Sequence, residues 1–371
     1  MPTLADVPTP FVVIDQEVMH RNVQRMQARA TAGGKRLRPH GKTHKSPVIA
    51  GVQTAAGAAG LCCAKPGEAE VFVDGGLEDI RLAYPVSPVH AERLLALMDR
   101  ARVSIIVDSL EVAEGWSAAM TRLGTTLPVL TKIDVGFHRC GFDPEQQDVR
   151  HVVRTVAALP GLDLQGVLSH AGQAYLAASR EEIADVVAGE AALLDRIRRE
   201  AAEDGIALEE VSVGSTPSAE ASMTRPEVTE VRPGNYVFCD RTQVALGAAT
   251  WADCALTVIA TVVSSGANRL IFDCGSKVLS SDGARGFIPT PGFGVVLAED
   301  GQPDESLLIE RLSEEHATVR VTGTTGLRIG SRVRIVPNHA CVVANLTDRY
   351  TLANGPEVTG HLPVAARGRV I

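Results

Sequence analysis

Two short runs carry most of the chemistry in this chain. The first is Arg38-Pro39-His40-Gly41-Lys42-Thr43-His44-Lys45. Its central lysine is crowded by other cations, and nearby positive charge lowers an amine's pKa and makes it more nucleophilic. Lys42 therefore reads as a lysine able to form a Schiff base with an aldehyde. The second run is Pro337-Asn338-His339-Ala340-Cys341, which closes an apolar stretch near the C-terminus. Imidazole plus thiolate is a natural zinc pair, whereas manganese favours harder ligands. If this run lies in or beside a strand, His339 and Cys341 face the same side. Two protein ligands are too few for a closed structural site, so water or substrate would complete the shell, as in a catalytic centre. The two runs together suggest one site built from two ends of the chain. The bland alternatives are a solvated lysine and a buried cysteine beside a hydrogen-bonded histidine.

Four further runs follow strand-like segments. Gly214-Ser215-Thr216-Pro217 offers backbone N–H groups and hydroxyls to a phosphate, and Arg232-Pro233-Gly234-Asn235-Tyr236 offers a second close backbone approach. Each could equally be an ordinary turn. Asp134-Val135-Gly136-Phe137-His138-Arg139-Cys140-Gly141 places Arg139 in a loop, where it could hold a phenolate or carboxylate or make a structural ion pair. Ser169-His170-Ala171-Gly172-Gln173-Ala174-Tyr175 puts His170 at a strand end. A histidine there serves either acid–base work or plain hydrogen bonding.

The elements that must position these residues alternate. A strand is expected over 11–15, a helix over 18–32 and a strand-like start at 37–39. Short strands then follow near 61–64, 80–83, 103–107, 129–133, 166–169, 210–213 and 228–231, at intervals of roughly 20–25 residues over much of the series. So many βα units fit a (β/α)8 TIM-type barrel better than a doubly wound sheet. Lys42, Cys63, Asp108, Asp134, His170 and Gly214 all fall just after a strand, where a barrel builds its sites. After about residue 245 the texture changes to strand-like runs at 254–264, 269–273, 316–322 and 331–336, an all-β reading. Residues 275–295, rich in Gly, Ser and Pro, read as a loop that could reach a site. The expected organisation is a barrel over 20–245, with 1–19 and 246–371 forming a β-domain that carries His339 and Cys341.

The 371 residues suffice for one large and one smaller domain. With 45% apolar and 22% charged residues and a net charge of −8, the balance is globular, and a nucleic-acid partner is not expected. No apolar run reaches the ~18 residues of a membrane helix, and the N-terminus lacks a secretory pattern. The expected location is the cytoplasm. Seven cysteines, an odd number in a long chain, need no disulfide framework.

These motifs, in this order and over nearly the full length, resemble one family: the bacterial D-threonine aldolases and eukaryotic-type D-serine dehydratases. The opening Thr9-Pro10-Phe11-Val12-Val13-Ile14-Asp15 belongs to the same pattern. The resemblance implies an alanine racemase-like fold (fold type III), pyridoxal 5'-phosphate and a divalent metal, zinc, manganese or magnesium. It implies that Lys42 carries the cofactor, that Gly214, Ser215, Thr216, Gly234 and Asn235 bind its phosphate, that Arg139 sits near its phenolic oxygen and that Tyr175 lies near its ring. His339 and Cys341 would hold the metal, and His170 would be a catalytic histidine near the substrate hydroxyl. A homodimer acting on small D-3-hydroxy amino acids is also implied. The favoured reaction is retro-aldol cleavage to glycine and an aldehyde. Dehydration with release of ammonia is the alternative, because the His-x-Cys pair and the His170–Tyr175 form resemble the dehydratase branch. A racemase and a non-catalytic cofactor-binding protein are the remaining readings.

Overall fold

In the computed structural model, which describes residues 2–371, the β-branched runs of the first two thirds form eight parallel strands among those residues. From Arg36–Leu37 the neighbours run through Glu230–Val231, Glu210–Val213, Leu162–Leu168, Leu127–Lys132, Arg102–Val107 and Asp79–Pro85 to Leu61–Cys63. The two ends of that series meet in a parallel bridge between His40 and Cys62. Cys62 N donates to Pro39 O at 2.7 Å and Ala59 N to Leu37 O at 2.8 Å. The sheet thus curls back on itself, as the expected TIM-type barrel requires.

The chain divides into two compact units. The barrel unit comprises Met26–Lys42, Pro47–Gly234 and Arg369–Ile371, and the second takes the chain through Arg25, Thr43–Ser46 and Asn235–Gly368. The barrel helices follow local rules. In Leu110–Leu123, Ser109 caps the start by accepting from Val112 N at 3.2 Å, and Gly124 ends the helix at φ 67°. Ala113, Trp116 and Met120 are buried at helical spacing, and the indole N–H of Trp116 reaches Val86 O at 2.8 Å.

The barrel interior is not purely apolar. Glu230 accepts from Arg38 at 2.9 Å, Arg81 at 2.6 Å and Ser212 at 2.6 Å, and Arg81 also pairs with Glu210 at 2.6 Å. Burial raises the Glu230 carboxyl pKa, but Arg81 and Arg38 outweigh it and bring it down to about 2. Breaking a buried pair from one side leaves the other charge uncompensated and costs about 3–5 kcal/mol. Glu230→Ala is therefore expected to lose about 3 kcal/mol or more in a urea unfolding titration, with Glu230→Gln losing less because it keeps an acceptor for one arginine.

The second unit is built on a nine-stranded sheet. Its central path runs Leu307–Leu312, Ala317–Val321, Arg269–Phe272, Leu256–Gly266, Phe11–Asp15, Arg349–Asn354 and Glu357–Pro363, with Arg332–Val336 joining Leu256–Gly266 to Val295–Leu297. Phe11–Asp15 lies antiparallel to Leu256–Gly266 and parallel to Arg349–Asn354. Val13, Ile259 and Ala353 form a small buried cluster there. The all-β expectation after residue 245 holds for the sheet, but short helices Ser276–Leu279 and Ala340–Leu346 interrupt it. All seven cysteines are free thiols. Among the described residues no helix is long and apolar enough to cross a membrane.

Candidate active site

The strand ends of the barrel gather cations around one histidine. His170 follows Leu162–Leu168, Lys42 lies in the single turn Gly41–Thr43, Lys132 ends Leu127–Lys132, and Arg139 lies in the loop after it. Burial lowers the His170 pKa well below its ordinary 6.5, and the charges of Lys42, Arg139 and Lys132 lower it further. Gly214 O pulls the other way and lies 3.3 Å from His170 Nδ1. A carbonyl only accepts, so this hydrogen bond puts the proton on Nδ1 and leaves the lone pair on Nε2. The arrangement holds a neutral imidazole with a basic nitrogen beside several cations.

Its turn is clamped from both sides. Ser169 Oγ donates to the buried Glu190 at 2.5 Å, and Arg232 Nη2 donates to Ser169 O at 2.5 Å. The Phe137 ring meets His170 edge-on at 5.8 Å, and the Arg139 guanidinium lies 5.3 Å from the centre of the Phe137 ring. Gly172 has to be glycine here, because a Cβ would come within 2.6 Å of the Phe137 ring. The loop carrying Phe137 and Arg139 is wound around Asp134, whose Oδ1 accepts from Gly136, Phe137 and His138 N, each at 3.0 Å.

The sign of the His170 shift sets a pH dependence. The unfolded chain titrates near 6.5 and the folded chain lower, so in that window the unfolded state binds more protons. Stability therefore rises with pH through the window and falls as pH drops below about 6.5. Replacing His170 by glutamine is expected to remove about 1 kcal/mol of the difference between unfolding free energies at about pH 5.5 and about pH 7.5.

Gly214 has φ 119°, and a Cβ would come within 3.1 Å of Arg232 N, so both backbone conformation and close packing call for glycine. Ser215 N and Ser215 Oγ both bond Ser218 Oγ, at 3.1 and 2.9 Å. Thr216 is buried, and Tyr175 is half-buried in the turn Gly172–Leu176. Lys42 and Arg139 are exposed. Sequence reasoning missed Lys132. Burial pushes its amine down to about 8, with Arg232 acting in the same direction. The signal was a lysine inside the otherwise apolar run Val129-Leu130-Thr131-Lys132-Ile133.

The second unit holds the His-x-Cys pair, and here one expectation is corrected. The pair does not lie in a strand. Arg332–Val336 ends first, His339 is the extended residue before a helix (φ −144°, ψ 96°), and Cys341 is the second residue of Ala340–Leu346. The buried Asp240 accepts from Ala340 N at 2.9 Å and so caps that helix from far away in sequence. The two side chains still meet. Burial opposes charge on both, but their mutual hydrogen bond and charges dominate: His339 is raised to about 10 and Cys341 falls below its ordinary 9.0. Asp240 and Asp282 add to the rise at His339, and Thr43 to the fall at Cys341. Cys341 Sγ is hydrogen-bonded with Thr43 Oγ1 at 3.3 Å and accepts from Asn235 Nδ2 at 3.6 Å. Asn235 Nδ2 also donates to Asp240 at 2.5 Å. The Asn235 amide nitrogen thus serves both the sulfur and Asp240.

Imidazole and incipient thiolate suit a borderline-soft divalent cation. No group of three or more His, Cys, Asp or Glu arranged to hold a metal occurs among the described residues, so the pair would rely on exogenous ligands. The cations around His170 suit an anionic cofactor in the barrel unit.

Comparisons with known proteins match two stretches of the chain to two family models. A family model described as alanine racemase, N-terminal domain, matches residues 14–242, and a serine dehydratase domain model matches residues 255–353. The D-threo-3-hydroxyaspartate dehydratase of Delftia sp. (strain HT23) is 34% identical over 99% of this chain and 97% of its own length. Its solved structure superposes with a TM-score of 0.91 at 33% identity, covering 98% of this chain and 99% of that one. A D-threo-3-hydroxyaspartate dehydratase has also been solved with a histidine replaced by alanine and, in a metal-free form, with the cysteine two positions later replaced by alanine. The D-threonine aldolase of Arthrobacter sp. is 32% identical over 98% of this chain and 94% of its own length.

Proposed function

The chain belongs to the alanine racemase-like family that includes D-threonine aldolases and D-serine dehydratases, and from that premise we propose that it is a metal-dependent dehydratase of D-3-hydroxy amino acids. The family is pyridoxal phosphate-dependent and its relatives of this type are lyases. The observation that carries the finer reading is the hydrogen-bonded His339/Cys341 pair, with its thiol poised toward thiolate. The dehydratase known with a histidine and a cysteine at the same spacing, and in a metal-free form, supports it.

Lys42 would carry the cofactor. Gly214, Ser215, Thr216, Gly234 and Asn235 would hold its phosphate, with Arg139 beside its phenolic oxygen and Tyr175 beside its ring, while His339 and Cys341 would hold the metal. When bound, the cofactor supplies an electron sink at the α-carbon and the metal a Lewis acid at the β-hydroxyl. Lys42 Nζ would take the α-proton. The β-hydroxyl would then leave as water with the proton that Lys42 took, and the released enamine would hydrolyse to the 2-oxo acid and ammonia.

Retro-aldol cleavage, the reaction favoured from the sequence, becomes the second reading, and His170 is the residue that supports it. Its neutral ring with a free Nε2 lone pair suits a base for the β-hydroxyl proton. Incubation with D-threonine separates the two. Formation of 2-oxobutanoate and ammonia supports dehydration, whereas acetaldehyde and glycine would replace it with the aldolase reading. Bound cofactor with no turnover on any D-3-hydroxy amino acid would defeat both. The resemblance also implies a homodimer, and light scattering of the purified chain tests the assembly.

A further inference from the structure

The Gly-, Ser- and Pro-rich segment at 275–295 brings a carboxylate to the imidazole of the His-x-Cys pair. Asp282 Oδ2 lies 2.9 Å from His339 Nδ1. Taken alone this could be a surface ion pair, since the two side chains are 48% and 41% exposed, and such pairs contribute little. The backbone around it shows more construction. Asn338, the residue before His339, is buried, and its Nδ2 donates to Asp282 O at 3.0 Å and to Gly292 O at 2.9 Å. Asp282 N donates to Ser280 Oγ at 2.9 Å, and Ser280 itself holds a left-handed φ of 65°. Arg285 N donates to Thr242 Oγ1, whose hydroxyl donates to Asn338 O at 2.9 Å. Asn338 thus fixes the loop, and the loop returns the Asp282 carboxylate to the residue next to Asn338.

A carboxylate only accepts, so Nδ1 of His339 carries the hydrogen, and Nε2 is the nitrogen whose lone pair becomes available once a cation displaces its proton. A histidine that ligates a metal through one nitrogen commonly donates from the other to such an oxygen, which fixes the tautomer and ring orientation. We propose that Asp282 is the positioning residue of the metal pair: it holds His339 in the tautomer and orientation in which Nε2 binds the divalent cation. The inference rests on the reading of His339 and Cys341 as metal ligands, and it gives the 275–295 loop a defined task. Asp282 is spent on Nδ1 and is not itself a ligand.

The test is zinc affinity of the full-length protein, measured by competition with a chromophoric chelator. Removal of such a partner weakens metal binding by about 10–100-fold, so Asp282→Ala is expected to fall in that range. Asp282→Asn keeps an acceptor for Nδ1–H and should recover most of the loss. His339→Ala should lose more than either. Circular dichroism of the metal-free variants checks that each is folded. Asp282→Ala binding zinc within twofold of the parent, while His339→Ala loses it, would reduce the contact to a surface ion pair and overturn the proposal. Equal losses in Asp282→Ala, Asp282→Asn and His339→Ala would make Asp282 a direct ligand and also overturn it. Undiminished zinc affinity in His339→Ala would instead sink the metal-pair reading itself.

Discussion

Lys42→Ala is expected to abolish turnover on D-3-hydroxy amino acids, by about 10⁴-fold or more, and to remove the visible absorbance of covalently held cofactor. The size follows from two losses at one atom. Nζ is the proposed point of attachment and the proposed base for the α-proton, and positioned acid–base groups alone contribute about 10²–10⁴-fold. A second readout ties the prediction to geometry. Lys42 is the first of the cations that lower the His170 pKa, so its removal should raise that pKa, visible as an upward shift of the His170 ring resonances in an NMR titration. Lys42→Arg keeps the charge without a nucleophilic amine. It should be as inactive as the alanine variant yet leave the His170 titration close to that of the parent. Turnover by Lys42→Ala within tenfold of the parent would remove the lysine from the mechanism.

The barrel was legible in the sequence because several of its strands, Arg102–Val107 and Glu210–Val213 among them, are rich in β-branched residues and recur at regular spacing. Glu210–Val213 and Phe11–Asp15 match their sequence spans residue for residue. Strands that alternate apolar and charged residues, such as Leu307–Leu312, Arg349–Asn354 and Glu357–Pro363, were not legible. Their burial alternates or fades toward the sheet edges, so no continuous apolar run announced them. The His-x-Cys pair was legible as a pair but not as a helix start. Ala340–Leu346 is as apolar as a strand, and its cap is a carboxylate a hundred residues earlier, Asp240. A separation of 57 residues likewise hid Asp282 from His339. Local propensity and periodicity report on neighbours in the chain, whereas these contacts are made by the fold.

Cys341→Ala is expected to lose bound zinc and to cut turnover about 10³-fold, which corresponds to the several kcal/mol that a Lewis acid contributes at a leaving hydroxyl. The structure gives reasons why serine should not substitute. The sulfur is hydrogen-bonded with Thr43, accepts from Asn235 and pairs with His339. Together the Asn235 donor and the His339 and Thr43 contacts favour an anion, and a serine hydroxyl does not ionise near neutral pH. Aspartate restores an anionic ligand but a harder one, so Cys341→Asp should bind manganese or magnesium in preference to zinc. That variant also probes the choice between reactions. If the sulfur-ligated cation drives departure of the hydroxyl, Cys341→Asp with manganese should form less 2-oxobutanoate relative to acetaldehyde than the parent does. An unchanged product ratio would mean that the ligand type does not select the bond that breaks. The choice would then fall to the residues around the α-carbon and the β-hydroxyl, Lys42 and His170, with His170→Gln the variant that separates them.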